Sequence, residues 1–95
     1  MVYHIMCECS ADQEKALDDF LTGKMKKFWL SNPGVSRYHV YGDHLANKLE
    51  RIVTIEVGDF GNFDKILDLS ERKELRNELM GLSSHVQSRV LQMIE

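Results

Sequence analysis

Apolar residues recur at every second position at the start of this chain, then at every third or fourth, then at every second again, and that order restricts the folds open to it. Over Val2 to Cys9, Tyr3, Ile5, Cys7 and Cys9 fall on one side and Val2, His4, Met6 and Glu8 on the other, as on a half-buried strand. Ser10 stops that strand and opens a helix, with Gln13 at capping-box spacing. Asp12 and Glu14 occupy its first turn, where the helix dipole favours negative charge. Leu17, Phe20, Leu21, Met25, Phe28 and Trp29 keep a helical period across Gly23, and Ser31-Asn32-Pro33-Gly34 ends it because proline cannot continue a helix.

Val35 to Gly42 is rich in aromatic and β-branched residues and predicts a second strand, with a third over Arg51 to Val57. Asp43 to Glu50 is the polar loop of the antiparallel hairpin they form. Gly58-Asp59-Phe60-Gly61 punctuates the chain, and it lacks every companion motif of the kinase signature it superficially echoes. Asn62 then caps a helical stretch through Asp68. Ser70 caps another, with Leu75 and Leu79 one turn apart and Gly81 at the left-handed position beyond its end. The last segment fits two patterns. Val86, Val90, Met93 and Ile94 have helical spacing, with Ser84 and Gln87 at capping-box distance, whereas Val90 to Ile94 also forms a short buried-strand run. Chain order decides for the strand, since β-α-β-β-α leaves a place beside the first strand. The expected fold class is α+β: a ferredoxin-like βαββαβ antiparallel sheet with two helical segments on one face, as a single domain over residues 1–95.

Composition narrows the partners. The 95 residues carry 12 Lys+Arg against 15 Asp+Glu, a net charge of −3, which is the wrong sign for a general binder of phosphate backbones. No nucleic-acid partner is expected. The Lys24-Met25-Lys26-Lys27 run fits the solvated side of the first helix. No apolar run approaches the roughly 20 residues of a membrane span, and the start has no signal-peptide pattern, so no membrane partner is expected either. Cys7 and Cys9, spaced to share one face of a strand, suit small core hydrophobes better than a strained disulfide. Free thiols point to a reducing cytoplasm. A chain this short buries only somewhat more than about 60% of its unfolded surface, which favours oligomerisation.

With both helical segments on one side, Tyr3, Ile5, Cys7, Cys9, Tyr38, Val40, Val53, Ile55 and Val57 form the covered face, under Leu17, Leu21, Met25, Phe28, Leu75 and Leu79. The open face then carries Val2, His4, Met6, Glu8, Val35, Arg37, His39, Tyr41, Ile52, Thr54 and Glu56. It is too apolar for a plain wet surface and too polar for a dry core. Element order over nearly the whole chain, and an amphipathic first helix ending before Pro33-Gly34, resemble the dimeric α+β barrel superfamily. The resemblance implies a homodimer dimerising into an α+β barrel, with open faces together around a cavity for a small-molecule ligand. That superfamily includes antibiotic-biosynthesis-type monooxygenases, haem-degrading enzymes, polyketide cyclases, stress-responsive proteins and ligand-sensing domains, so the fold leaves the activity open.

The open face gathers His4, Arg37, His39, Tyr41, Glu8 and Glu56. Histidine transfers protons near neutrality, and a carboxylate beside it can orient one tautomer as a general base. Tyr41 can donate to a developing enolate oxygen, and the planar fork of Arg37 can hold a carboxylate or phenolate. His4, His39 and Tyr41 are thus the candidate catalytic residues, and Arg37, Glu56, Thr54 and Met6 the candidate ligand contacts. His4, His39 and Glu56 are chemically able to hold zinc or iron, but no local ligand motif supports a metal. Haem-degrading relatives rely on a His, a Trp and an Asn around the cavity. Here Trp29 fits a packing anchor and Phe63 to Met80 contains no His, so no tightly bound cofactor is expected. His44, in the hairpin loop, and His85 are expected at the surface. The expected activity is a cofactor-independent monooxygenase-like or cyclase-like reaction on an aromatic or polyketide-type small molecule. A non-enzymatic ligand-binding module and a stress-related homodimer are the alternatives.

Overall fold

Four antiparallel strands and four helices follow one another in a computed structural model that describes residues 1–43 and 48–95. They are β1 (Val2–Cys9), α1 (Glu14–Thr22), α2 (Lys24–Leu30), β2 (Val35–Gly42), β3 (Leu49–Val57), α3 (Phe60–Asp68), α4 (Ser70–Leu82) and β4 (Ser84–Leu91). His44 and the middle of the hairpin loop lie outside the described residues. The sheet order is β2-β3-β1-β4, which places β1 and β3 at the centre and leaves β2 and β4 as edges. This is the expected ferredoxin-like α+β arrangement.

The helices cover one face only. Tyr3, Ile5, Cys7, Tyr38, Val53, Ile55 and Val57 from the sheet pack against Leu17, Leu21, Met25, Phe28, Trp29, Leu75 and Leu79. α3 adds Phe63 and Ile66. Trp29 is 2% exposed and meets Tyr3 and Phe28 at ring-centroid distances of 5.6 Å and 5.7 Å, so it is the packing anchor its position predicts. Tyr38, buried in the same core, donates its hydroxyl to the Leu21 carbonyl at 2.6 Å. The short axis of the molecule, 18 Å, is the depth of one helix layer on one sheet. No helix among the described residues covers the other sheet face.

Several local expectations shift. The spacing predicts one helix from Ser10 to Trp29, whereas the structure divides it at Gly23, where φ −109° and ψ −93° leave the helical region. A Cβ there would lie 2.8 Å from the Asp19 carbonyl oxygen, so the break requires glycine. Half of the capping box forms: Gln13 Oε1 accepts from the Ser10 N–H at 3.1 Å and from its hydroxyl at 3.0 Å, and the helix starts only at Glu14. Asp59, not Asn62, caps α3, accepting from the Asn62 N–H at 2.8 Å. Ser70 is the first residue of α4 and caps nothing, and Gly81 lies inside that helix. Among the described residues the left-handed positions belong to Gly34 (φ 86°) and His85 (φ 52°).

Two strands differ in extent or phase. β4 begins at Ser84 and stops at Leu91, so the strand expected over Val90 to Ile94 lies largely upstream, with Met93 88% and Ile94 99% exposed. In β2, Val35 pairs with Val57 but Arg37 pairs with Glu56, so Ser36 is an extra, bulged residue. Val35 therefore packs on the core rather than on the open face to which strict alternation assigns it.

Candidate functional site

Registry across the four strands sorts the open face into rows, because antiparallel partners point to the same side. One row is Arg37, Glu56, Val2, Leu91; the next is His39, Thr54, His4, Arg89; the third is Tyr41, Ile52, Met6, Gln87. Beyond them Glu8 sits opposite Glu50. Strands lie about 4.8 Å apart, so His4 and His39 stand about 10 Å from one another across Thr54. His4, Arg37, His39, Tyr41, Thr54, Glu56 and Met6 thus share one surface, in adjacent rows, with Val35 absent from it.

Their pairings differ from the expected ones. Glu56 is engaged by Arg37 (Oε2 to Nε, 3.5 Å) and not by a histidine. Glu8, 19% exposed at its side chain, is held at the far end of the sheet by Lys48 Nζ at 3.1 Å and His85 Nδ1 at 3.0 Å. The described His–carboxylate pair of this face is therefore His85–Glu8, away from His4 and His39, and His85 lies at the surface as expected. His39 lies against Tyr41 with ring centroids 6.1 Å apart and planes tilted by 36°. His4 is half-buried, and its Nδ1 is buried without a hydrogen-bond partner. Among the described residues no three His, Cys, Asp or Glu side chains converge as a metal site requires.

Arg89 escapes strict sequence alternation. A strand over Val90 to Ile94 omits it, and only the register of β4 against β1 sets it opposite His4. A bulge creates that register: Met6 pairs with Gln87 but Glu8 with Ser84, so His85 and Val86 share the place opposite Cys7. The positive φ of His85 marks the bulge. No apolar period announces it.

Recesses on the open face of a single chain are shallow. One of about 160 Å³ lies among Met6, Glu8, Glu50, His85 and Gln87, and another of about 290 Å³ near Val2, Glu56, Leu91 and Met93. A larger one, about 590 Å³, lies off this face, beside α1 and the end of β2. Its Arg51 is fully occupied: Nε and Nη2 meet Asp18 at 2.7 Å and 3.1 Å, and Nη2 meets Glu14 at 2.7 Å. The hydrogen bonds that Arg51 donates to Asp18 and Glu14 outweigh burial and hold the guanidinium charged. Arg51 is a strut between β3 and α1.

No family model matches the chain, and no curated protein matches it. Solved structures do. A candidate antibiotic biosynthesis monooxygenase from Deinococcus radiodurans superposes with a TM-score of 0.85 at 18% identity, over 99% of this chain and 92% of that one. SnoaB, a cofactor-independent oxygenase from Streptomyces nogalater, gives 0.81 at 11% identity over 99% and 92%. Rv0793 from Mycobacterium tuberculosis gives 0.80 at 16% identity over 99% and 94%. The chain shares the ferredoxin-like fold of these proteins from end to end.

Proposed function

We propose that two copies of this chain lay their open sheet faces together around a cavity, in a reducing cytoplasm, and that the cavity is the active site of a cofactor-independent monooxygenase. The substrate is an aromatic or polyketide-type small molecule with an acidic methylene or phenol. The observation that carries this reading is the row His39, Thr54, His4, which sets two imidazoles and a hydroxyl on a half-apolar surface beside Tyr41. Kinship of fold with a named cofactor-independent oxygenase supports it.

The chemistry follows from the residues. His39 or His4 takes a proton from the substrate, and Tyr41 donates a hydrogen bond to the enolate or phenolate oxygen that develops. The resulting electron-rich carbon reacts directly with dioxygen. For a methylene carbon, one oxygen atom becomes the new carbonyl, and the other leaves as water with the two hydrogens the carbon has lost. Thr54 and Met6 line the site between the histidines and the apolar row. The Arg37–Glu56 pair orients the edge of the cavity.

His39→Ala tests the reading. Turnover of a hydroxyanthrone under dioxygen is expected to fall by about two orders of magnitude, the usual size of a general acid–base contribution, with binding little changed. Lost affinity at unchanged turnover refutes a catalytic role for His39. Binding of the hydroxyanthrone without oxygen uptake in the unsubstituted protein identifies a ligand-binding module instead.

A further inference from the structure

Charge on the open face does not balance where the ligand would lie. Arg37 is spent on Glu56, and Glu8 on Lys48 and His85, while the Glu50 carboxylate, without an ion pair among the described residues, lies two rows along the sheet from Arg89. Off this face, Arg51 is held by Asp18 and Glu14, and Arg72 donates to the Leu67 carbonyl. Arg89 is exposed and makes no hydrogen bond or ion pair among the described residues. It stands opposite His4, in the row that carries both central histidines. A chain of net charge −3 thus places an uncompensated cation beside its candidate catalytic groups.

The floor around that cation is apolar. Val2 and Met6 flank His4 on β1, and Leu91, 44% exposed, follows Arg89 on the same side of β4. A guanidinium over such a floor suits a flat organic anion: its planar fork takes the charged oxygens, and its face and the aliphatic side chains take the rings. A compact hydrated anion such as inorganic phosphate gains nothing from the apolar part.

Resting on the face-to-face reading above, we propose that Arg89 is the anion anchor of the cavity, and that the ligand is an aromatic molecule bearing an ionised carboxylate, sulfonate or phenolate. Two copies bring two such arginines to one cavity. Arg37, the arginine that sequence spacing nominates for this task, serves instead to neutralise Glu56.

Fluorescence titration with two probes of one ring frame tests this: anionic anilinonaphthalene sulfonate and neutral phenylnaphthylamine. The unsubstituted protein is expected to prefer the sulfonate. Arg89→Gln should weaken the sulfonate about tenfold or more and leave the neutral probe unchanged, as loss of a charged hydrogen bond implies. Arg89→Lys should recover part of the loss. Arg76→Gln, on α4 and likewise without an ion pair among the described residues, should alter neither. Equal binding of both probes, or an Arg89→Gln variant that weakens both alike or neither, overturns the anchor while leaving the cavity standing. Failure of both probes to bind the unsubstituted protein removes the cavity and the anchor together. If Arg89 merely guards an unpaired sheet edge, Arg89→Gln promotes aggregation with the probe preference intact.

Discussion

Cys7 and Cys9 share a strand face and diverge in setting. Cys7 is 2% exposed, and burial pushes its thiol up to about 11, with a hydrogen bond from Ser83 pulling the other way. Cys9, half-buried, is raised by the same cause. The folded protein keeps the Cys7 proton where the unfolded chain has released it. Stability from this source is complete below about pH 9 and is lost as pH rises through about 11. Tyr38, raised by its own burial, adds to the alkaline loss. The melting temperature is expected to fall between about pH 9 and 11, less steeply in Cys7→Ala, when followed by circular dichroism. Thiol labelling at neutral pH should modify Cys9 first, with Cys7 reacting only as fast as the molecule opens. Fast modification of both thiols would contradict the burial of Cys7.

Elements show where a sequence pattern gives way to geometry. In most exposed helices Gly→Ala is stabilising by about 1 kcal/mol. At Gly23 the sign should reverse, because the new methyl meets the Asp19 carbonyl oxygen at 2.8 Å, and chemical denaturation should show a loss of about 1 kcal/mol or more. A gain in stability would mean that α1 and α2 can join into one continuous helix. Periodicity located the helical stretch but gave it as one helix, since Leu21 and Met25 keep a helical phase across the break. The same limit applies to the sheet. Alternation placed Tyr3, Ile5, Cys7, Tyr38, Val53, Ile55 and Val57 inside, and His4, His39, Tyr41, Thr54 and Glu56 outside, because those stretches are regular. It misplaced Val35 and missed Arg89, because a bulged residue leaves no trace in an apolar period. Caps failed similarly: Asp59, Asn62 and Ser70 are all competent caps by residue type, and of the three only Asp59 makes the capping bond, from the Asn62 N–H.

At the scale of the whole molecule, one sheet face has its helices and the other has none among the described residues. Both edge strands carry a bulge, β2 at Ser36 and β4 at His85–Val86, and both present arginine, features that discourage pairing edge to edge. The association proposed above therefore falls to the open face. Sedimentation equilibrium is expected to give twice the mass of the 11.0 kDa chain. Thr54→Arg, which places a bulky charge at the centre of that face, should shift the protein to monomer with the far-ultraviolet circular dichroism unchanged. A dimer that survives this substitution uses some other surface.

The bulge at Ser36 has a consequence for how such a chain can change over time. Upstream of it, β2 answers to the core through Val35; downstream, Arg37, His39 and Tyr41 answer to the opposite side. Excising that single serine would leave Val35 opposite Val57 and Arg37 opposite Glu56, so the strand would become regular and no side chain would change face. Loss of a residue farther along β2 has no such slack, because a slip of one position turns every side chain beyond it to the other side of the sheet. The bulge is therefore a place where this strand can shorten by one residue and keep His39 and Tyr41 on the surface they occupy.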